Sequence, residues 1–325
     1  QMAAKAASGL PRVQSLDMMR GWVILIMIFA NFEFLDIPWY MMHYYFKDPN
    51  AFSGVTYVDY VFSMFLLMVG ISIPLAFRKY EENWHGRLHA MGHILLRGVS
   101  MLFIGLLLVN RPNLELMGDW SFMHRWWALL GVAPADAARA CWQLVAVTGV
   151  LLLFNQTSSD QPAIRRFSQG MRIAGGLILG YYMIVYVQPG PPAADPAGWL
   201  PCRLMRCVFL NEGNWFHGQW WEIIGVIGWA YMVGGLLYLL LRRHAELIYL
   251  GLVLLAVGAV AEKLGRFNQV PLLSQYASFL LYLPMIVMLG VGLGAAMFRA
   301  AGNVRASYGI LIRFALVLAA LTAIT

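Results

Sequence analysis

The sequence predicts an all-α polytopic membrane protein, a bundle of about nine or more transmembrane helices with a cytoplasmic N-terminus. Three observations carry that expectation. Of 325 residues, 60% are hydrophobic and 12% charged, whereas a soluble domain carries about 25% charged residues; the mean hydropathy is +0.65. Apolar stretches long enough to cross a bilayer, roughly 17–25 residues, recur from one end to the other. Trp residues gather at their margins (Trp39, Trp126, Trp127, Trp220, Trp221), as in the aromatic belts of membrane interfaces.

Taken in order, the apolar stretches fall near 18–35, 57–77, 90–109, 140–155, 170–188, 219–241, 245–261, 276–298 and 307–325. The 120–135 region, with Trp126, Trp127 and Leu129, is too short and too Pro-broken to span and reads as a re-entrant or interfacial piece. Lys and Arg concentrate on the side of the N-terminus, as at Arg78 and Lys79, Arg165 and Arg166, and Arg242 and Arg243, which predicts that side to be cytoplasmic. The net charge of +7 is therefore loop charge that sets topology, and no nucleic-acid partner is expected.

The stretch before Asp17 is short, mildly basic and not apolar, so the first helix reads as a signal anchor. At the other end "RFALVLAALTAIT" stops inside an apolar run; either the chain ends flush with the outer surface or it continues past Thr325. The whole of 1–325 reads as one transmembrane domain. The Pro-rich "QPGPPAADPAGWLP" (188–201) is expected to be an extended outer loop. Cys141 sits at a helix start as a small apolar residue, and Cys202 and Cys207 flank "RLMR", either bridged or free in an oxidising outer loop.

Polar residues inside or at the edges of spans are the candidates for function, because an ionisable group in hydrocarbon costs at least ~2.5–3.5 kcal/mol. In "SLDMMRGWVILIMIFANF" (15–32), Asp17 and Arg20 are three apart on one helical face and can pair. Ser15 as N-cap and Asp17 in a first turn would satisfy the helix N-terminus. The same dipole disfavours Arg20, so an anion, from Asp17 or from a ligand, is expected beside it. Asn31 is 14 residues on, about 21 Å along the axis, and Asp59 opens the second helix from the same outer side. His43 lies in the loop between them. An acid, an amide and an imidazole at one end of a hairpin suit general-base chemistry, or equally contact headgroups.

His85, His89 and His93, followed by Arg97, recur every four residues and line one helical face. No second cluster of ligands accompanies them, so no metal is expected. A polar face for phosphates, with Arg87 and Arg97, and a solvated helix end are the two readings. His124, Arg125 and His217 belong to Trp-rich outer segments that line an acceptor pocket or anchor at the interface.

"SLDMMRGWVILIMIFAN" and "YVDYVFSMFLLMVGISIPLAF" (57–77) resemble the first two helices of bacterial relatives of heparan-α-glucosaminide N-acetyltransferase, a transmembrane acyltransferase superfamily. "QWWEIIGVIGWAYMVGGLLY" (219–238) resembles a later helix of the same proteins. The resemblance implies transfer of an acyl, above all acetyl, group from cytosolic acyl-CoA to a glycan-type acceptor on the far side of a bacterial inner membrane. It implies catalytic roles for Asn31 and Asp59 and for a loop histidine ten residues before the aspartate. Here that position is Pro49, or Asp48 when anchored on Phe46 and Lys47, and His43 is the nearby imidazole. Asp17, Arg20, His89, His93 and Arg97 are then the donor-binding set, with acyl-CoA as donor substrate, no metal, and lipids, acyl-CoA and a glycan-type acceptor as partners. The displaced histidine keeps a second reading open, a catalytically degenerate scaffold or accessory subunit, and leaves a second copy or other membrane subunits as partners. A transporter would show Gly/Pro-broken helix pairs in both halves, and no such pair stands out.

Overall fold

The computed structural model describes residues 14–30, 57–77, 80, 83–110, 134–155, 157, 161–185, 216–217, 223–267, 269, 276–299 and 312. Eight α-helices lie among these residues: α1 (Gln14–Ala30), α2 (Tyr57–Phe77), α3 (Trp84–Val109), α4 (Pro134–Leu153), α5 (Pro162–Val185), α6 (Ile223–Leu241), α7 (Ala245–Lys263) and α8 (Leu283–Arg299). No strand occurs among them. Among the described residues, four helical stretches are long and apolar enough to cross a membrane: Tyr60–Phe77, Trp84–Val109, Ile223–Leu241 and Phe279–Met297. The expected stretch 307–325, the 120–135 piece, the Pro-rich loop and all three cysteines lie outside the described residues or have undescribed side chains.

Helix starts differ from those expected from hydropathy, and local chemistry explains them. α3 begins at Trp84, six residues before the apolar run. The Asn83 side chain accepts the Gly86 N–H at 2.7 Å and its carbonyl accepts the Arg87 N–H at 3.1 Å, which satisfies orphan donors of the first turn. The polar residues that follow are thereby drawn into the helix. α4 and α5 each open on a proline, Pro134 and Pro162, whose missing N–H costs nothing at the first helical position. α1 begins at Gln14, so Ser15 lies within its first turn and is not the residue before it, a shift of the size by which helix ends vary.

Contacts divide the chain into two units. The first holds α1, α2, α3 up to Val99, α6 from Ile227, α7 and α8. α1 and α2 pack antiparallel, with Leu16, Val23, Val61 and Met68 buried between them. α2 and α8 touch backbone to backbone. A Cβ at Gly70 would lie 2.1 Å from the Val287 carbonyl oxygen, and one at Gly290 would lie 2.1 Å from that of Leu67. A Cβ at Gly294 would lie 2.6 Å from the Ile71 carbonyl oxygen. Any side chain here would force the helices apart, which is how small residues at four-residue spacing work in membrane helix pairs. Gly290 on Leu67 and Gly294 on Ile71 advance by one turn along both helices, so the pair is parallel. Leu66, Val287, Met288 and Val291 fill the surrounding core, all but sealed from solvent.

α8 is preceded by a π-turn, Ser278–Tyr282. Pro284 has no N–H to return to the turn before it, and the ladder widens there instead of continuing as α-helix. α7 ends as a Schellman motif: Gly265 N–H bonds the Glu262 carbonyl at 2.7 Å, Arg266 N–H bonds that of Ala261 at 3.0 Å, and Gly265 has φ 70°, a conformation that favours glycine.

In the second unit α4 and α5 form a hairpin. Trp142, Ala146, Leu179, Tyr182 and Phe216 make a buried cluster with Leu107, the Trp142 and Tyr182 rings 3.6 Å apart between centroids. Asn110, just past α3, is 2% exposed. Its amide accepts the His217 N–H and donates to the His217 carbonyl, both at 3.0 Å, while also donating to Leu106. A buried amide satisfied on both sides fixes the backbone of Phe216 and His217.

Candidate functional site

The polar groups of the first unit collect at two opposite ends. At one end, α1 starts, α2 finishes, α3 starts and α6 finishes. Arg20, six residues into α1, donates to Ser72 Oγ on α2, and Ser72 in turn donates to the Val69 carbonyl at 2.7 Å. Arg20 Nη1 also stands 3.9 Å from Asp17 Oδ1. The pair expected from the sequence is present, but it is long and its carboxylate is about half exposed, so the inter-helix bond to Ser72 holds the guanidinium more firmly. Ser72 interrupts the apolar "VGISIPLAF" for a reason that sequence reading missed: it receives Arg20.

Arg97 on α3 lies within Coulombic reach of Arg20 and sits 5.5 Å above the ring of Tyr231 on α6. One turn before it on α3 is His93. The His89 and His93 rings meet edge to face at 4.9 Å, and Tyr80, in the turn between α2 and α3, stands 5.4 Å from His89 and 5.7 Å from His93. Phe77 stacks on Tyr80 at 5.7 Å. Arg242, just past α6, donates to the Phe77 carbonyl at 3.5 Å. Arg87 has its Nε and Nη2 buried without a hydrogen-bond partner among the described residues. Five guanidinium groups, of Arg20, Arg87, Arg97, Arg242 and Arg243, thus share one end with the two described carboxylates of Asp17 and Glu246; Glu81 and Glu82 lie outside the described residues. Such an end favours a polyanion, since each guanidinium presents a fork of donors that phosphate oxygens match. Asp17, Arg20, His89, His93 and Arg97 are all at this end, joined by Ser72, Tyr80, Tyr231 and Arg242. The last four are aromatic, small or loop-charge residues with no periodic signal in the sequence.

The opposite end is described in part. Asn31 and His43 lie outside the described residues, and of Asp59 only the helical backbone is described, in the first turn of α2. From Asp59 to Ser72 the helix rises 13 residues, ~20 Å. Counting eight residues back from the Leu67–Gly290 approach, in parallel helices, brings Asp59 level with Tyr282. The Tyr282 hydroxyl is 2.7 Å from Glu262 Oε2 and 3.0 Å from the Ala259 carbonyl oxygen. Among the described residues no three of His, Cys, Asp and Glu gather as a metal site.

Against known proteins, a family described only as a domain of unknown function, DUF5009, matches residues 12–118. Human heparan-α-glucosaminide N-acetyltransferase is 30% identical over 103 residues, 32% of this chain and 14% of the relative. The mouse protein of the same name is 29% identical over 102 residues, 31% of this chain and 14% of the relative. The chain therefore matches about a seventh of the length of these curated relatives. No solved structure matches. About a third of the chain is related to this acyltransferase family, and the DUF5009 match runs from α1 to just past α3. That stretch exceeds the two helices whose motifs carry the resemblance, and it takes in every candidate residue from Asp17 to Arg97.

Proposed function

We propose that the chain is a membrane-bound acyltransferase that takes an acyl, above all acetyl, group from cytosolic acyl-CoA and passes it to a glycan-type acceptor across the bilayer. The observation that carries this reading is the guanidinium-lined end of the first unit, whose Arg20, Arg87 and Arg97 fall within residues 12–118 and which lies ~20 Å along α2 from Asp59. The density of Arg at this end makes it the cytoplasmic one by the positive-inside rule. The remaining apolar stretch, 307–325, completes a bundle of nine spans in a bacterial inner membrane.

Arg20 and Arg97 receive the negative charges of the CoA head, with His89 and His93 beside them, and Ser72, with Asp17 nearby, holds Arg20 until the donor arrives. The pantetheine arm extends along the hairpin towards Asn31, His43 and Asp59. There His43, oriented by Asp59, takes a proton from the acceptor hydroxyl or amine. The freed lone pair attacks the thioester carbonyl, the C–S bond breaks with its electron pair on sulfur, and the thiolate recovers the proton. Asn31 supplies an amide donor for the carbonyl oxygen as it becomes negative.

Purified protein reconstituted in vesicles, given labelled acetyl-CoA on one side and hydroxyl- or amine-bearing sugars on the other, tests the reading. Label appearing on the sugar only when the donor is on the arginine-rich side is the expected result. Absence of both transfer and saturable CoA binding overturns it.

A further inference from the structure

The three-ring group of Tyr80, His89 and His93 offers more than the phosphate chemistry just described uses. Phosphates are held by cations and donors, which the imidazoles and the tyrosine hydroxyl can supply, but three gathered rings add stacking surface that phosphates do not use. The rings also do no ordinary core packing: both histidines are exposed, and Tyr80 is only half-buried. They stand together because α3 is extended at its start by the Asn83 cap. This places His89 and His93 one turn apart on one face, with Tyr80 of the preceding turn folded against both. The rings, gathered at 4.9–5.7 Å and tilted 44–72° to one another with Phe77 stacked on Tyr80, leave exposed imidazole surface as a shelf on which a flat heteroaromatic ring can stack. Stacking of a nucleobase on protein rings is tolerant of base identity because every base has a π-face.

What lies next to the shelf decides the ligand. Arg97 is one turn beyond His93, ~5–6 Å along α3, and Arg20 is within Coulombic reach of Arg97. Tyr80 is likewise within electrostatic reach of Tyr231, the ring under Arg97. Rings and guanidinium groups therefore stand side by side at about the spacing of a helical turn, as base and phosphate do in a nucleotide. We infer that Tyr80, His89 and His93 form a stacking shelf for the purine base of the donor, adjoining the arginines that take its phosphates. This rests on the acyl-CoA reading and adds to it the residues that recognise the nucleotide as a nucleotide.

The experiment compares three donors on the protein in nanodiscs: acetyl-CoA, a base-lacking analogue that keeps the ribose phosphates, and acetyl-phosphopantetheine. With wild-type protein, removing the base alone should weaken binding by roughly tenfold, the low end of what one stacked base contributes. Tyr80→Leu should weaken acetyl-CoA by about the same factor and leave the base-lacking donor unchanged, and Tyr80→Trp should restore affinity. Equal affinity of wild-type protein for the donors with and without base overturns the shelf, and this outcome needs no variant to fold. So does a Tyr80→Leu protein that loses affinity for both donors alike. Wild-type protein that binds none of the three donors overturns the acyl-CoA reading itself and the shelf with it.

Discussion

Arg97 sits 5.5 Å above the ring of Tyr231, so a cation on α3 is held by the π-face of a residue on α6. A cation–π contact of this kind contributes about 0.5–2 kcal/mol, more as it is desolvated. Tyr231→Leu should therefore free Arg97 without removing its charge. Donor affinity is expected to fall by less than tenfold, with the salt dependence unchanged. Arg97→Gln should lower affinity further and flatten the salt dependence. Titrations with acetyl-CoA at several ionic strengths separate the two; identical salt slopes for wild type and Arg97→Gln would remove Arg97 from the donor site.

Arg20→Ala should weaken acyl-CoA binding more than it disturbs the fold, and the deficit should shrink as salt screens the remaining charges. Titration and thermal unfolding of the same preparations test this. Unchanged affinity would take Arg20 out of donor binding. Loss of folded protein would mean that its bond to Ser72 is a structural tie between α1 and α2.

Gly290→Val should be severely destabilising. Its Cβ alone would come within 2.1 Å of the Leu67 carbonyl oxygen, and backbone cannot step aside as a side chain can. Overpacking in a tight core typically costs ~1–3 kcal/mol, and a helix–helix backbone contact belongs at the upper end. A large fall in the unfolding midpoint in detergent is expected, whereas Gly92→Ala, with nothing within 4 Å of the added carbon, should be silent. Equal stability of the two variants would contradict the crossing.

His43→Ala should lower turnover by roughly 10²–10⁴, the usual contribution of a positioned general base, with little change in thermal stability, and Asp59→Asn should act similarly. Initial rates in vesicles measure it. Wild-type rates in both variants would move the chemistry away from this hairpin and favour the scaffold reading.

Cysteines placed at Ser53 and Ala194 should react with an impermeant reagent from outside intact cells. Protection of both would invert the orientation and put the arginine-rich end outside.

Hydropathy alone made most of the helices legible, because a spanning helix is written as a run of apolar residues and needs no partner to be recognised. What it missed was set by single polar groups. The start of α3 depends on Asn83 capping a polar first turn, and that turn carries the histidines towards Tyr80. The π-turn before α8 follows from Pro284, whose effect on the ladder is local and leaves no mark on hydropathy. Arg20 was readable as a group needing a partner, but Asp17 was its visible neighbour and Ser72, 52 positions away, was not. The buried Asn110 gave no signal either, since its partners are backbone atoms of His217. Asn31 and His43 rest on the resemblance and lie outside the described residues.

The glycine crossing of α2 and α8 has a mechanical side. Helices whose backbones touch cannot slide along one another without driving Leu67, Ile71 and Val287 into contact, nor part without opening a void. The two therefore travel as one stiff strut running from the level of Asp59 and Tyr282 to the arginine-rich end. An alternating-access cycle that splits this pair would have to break its densest contact at every turnover. Under the proposed acyl transfer, a protein braced this way would move the acyl group on its flexible arm across the bilayer while the helices stay where they are.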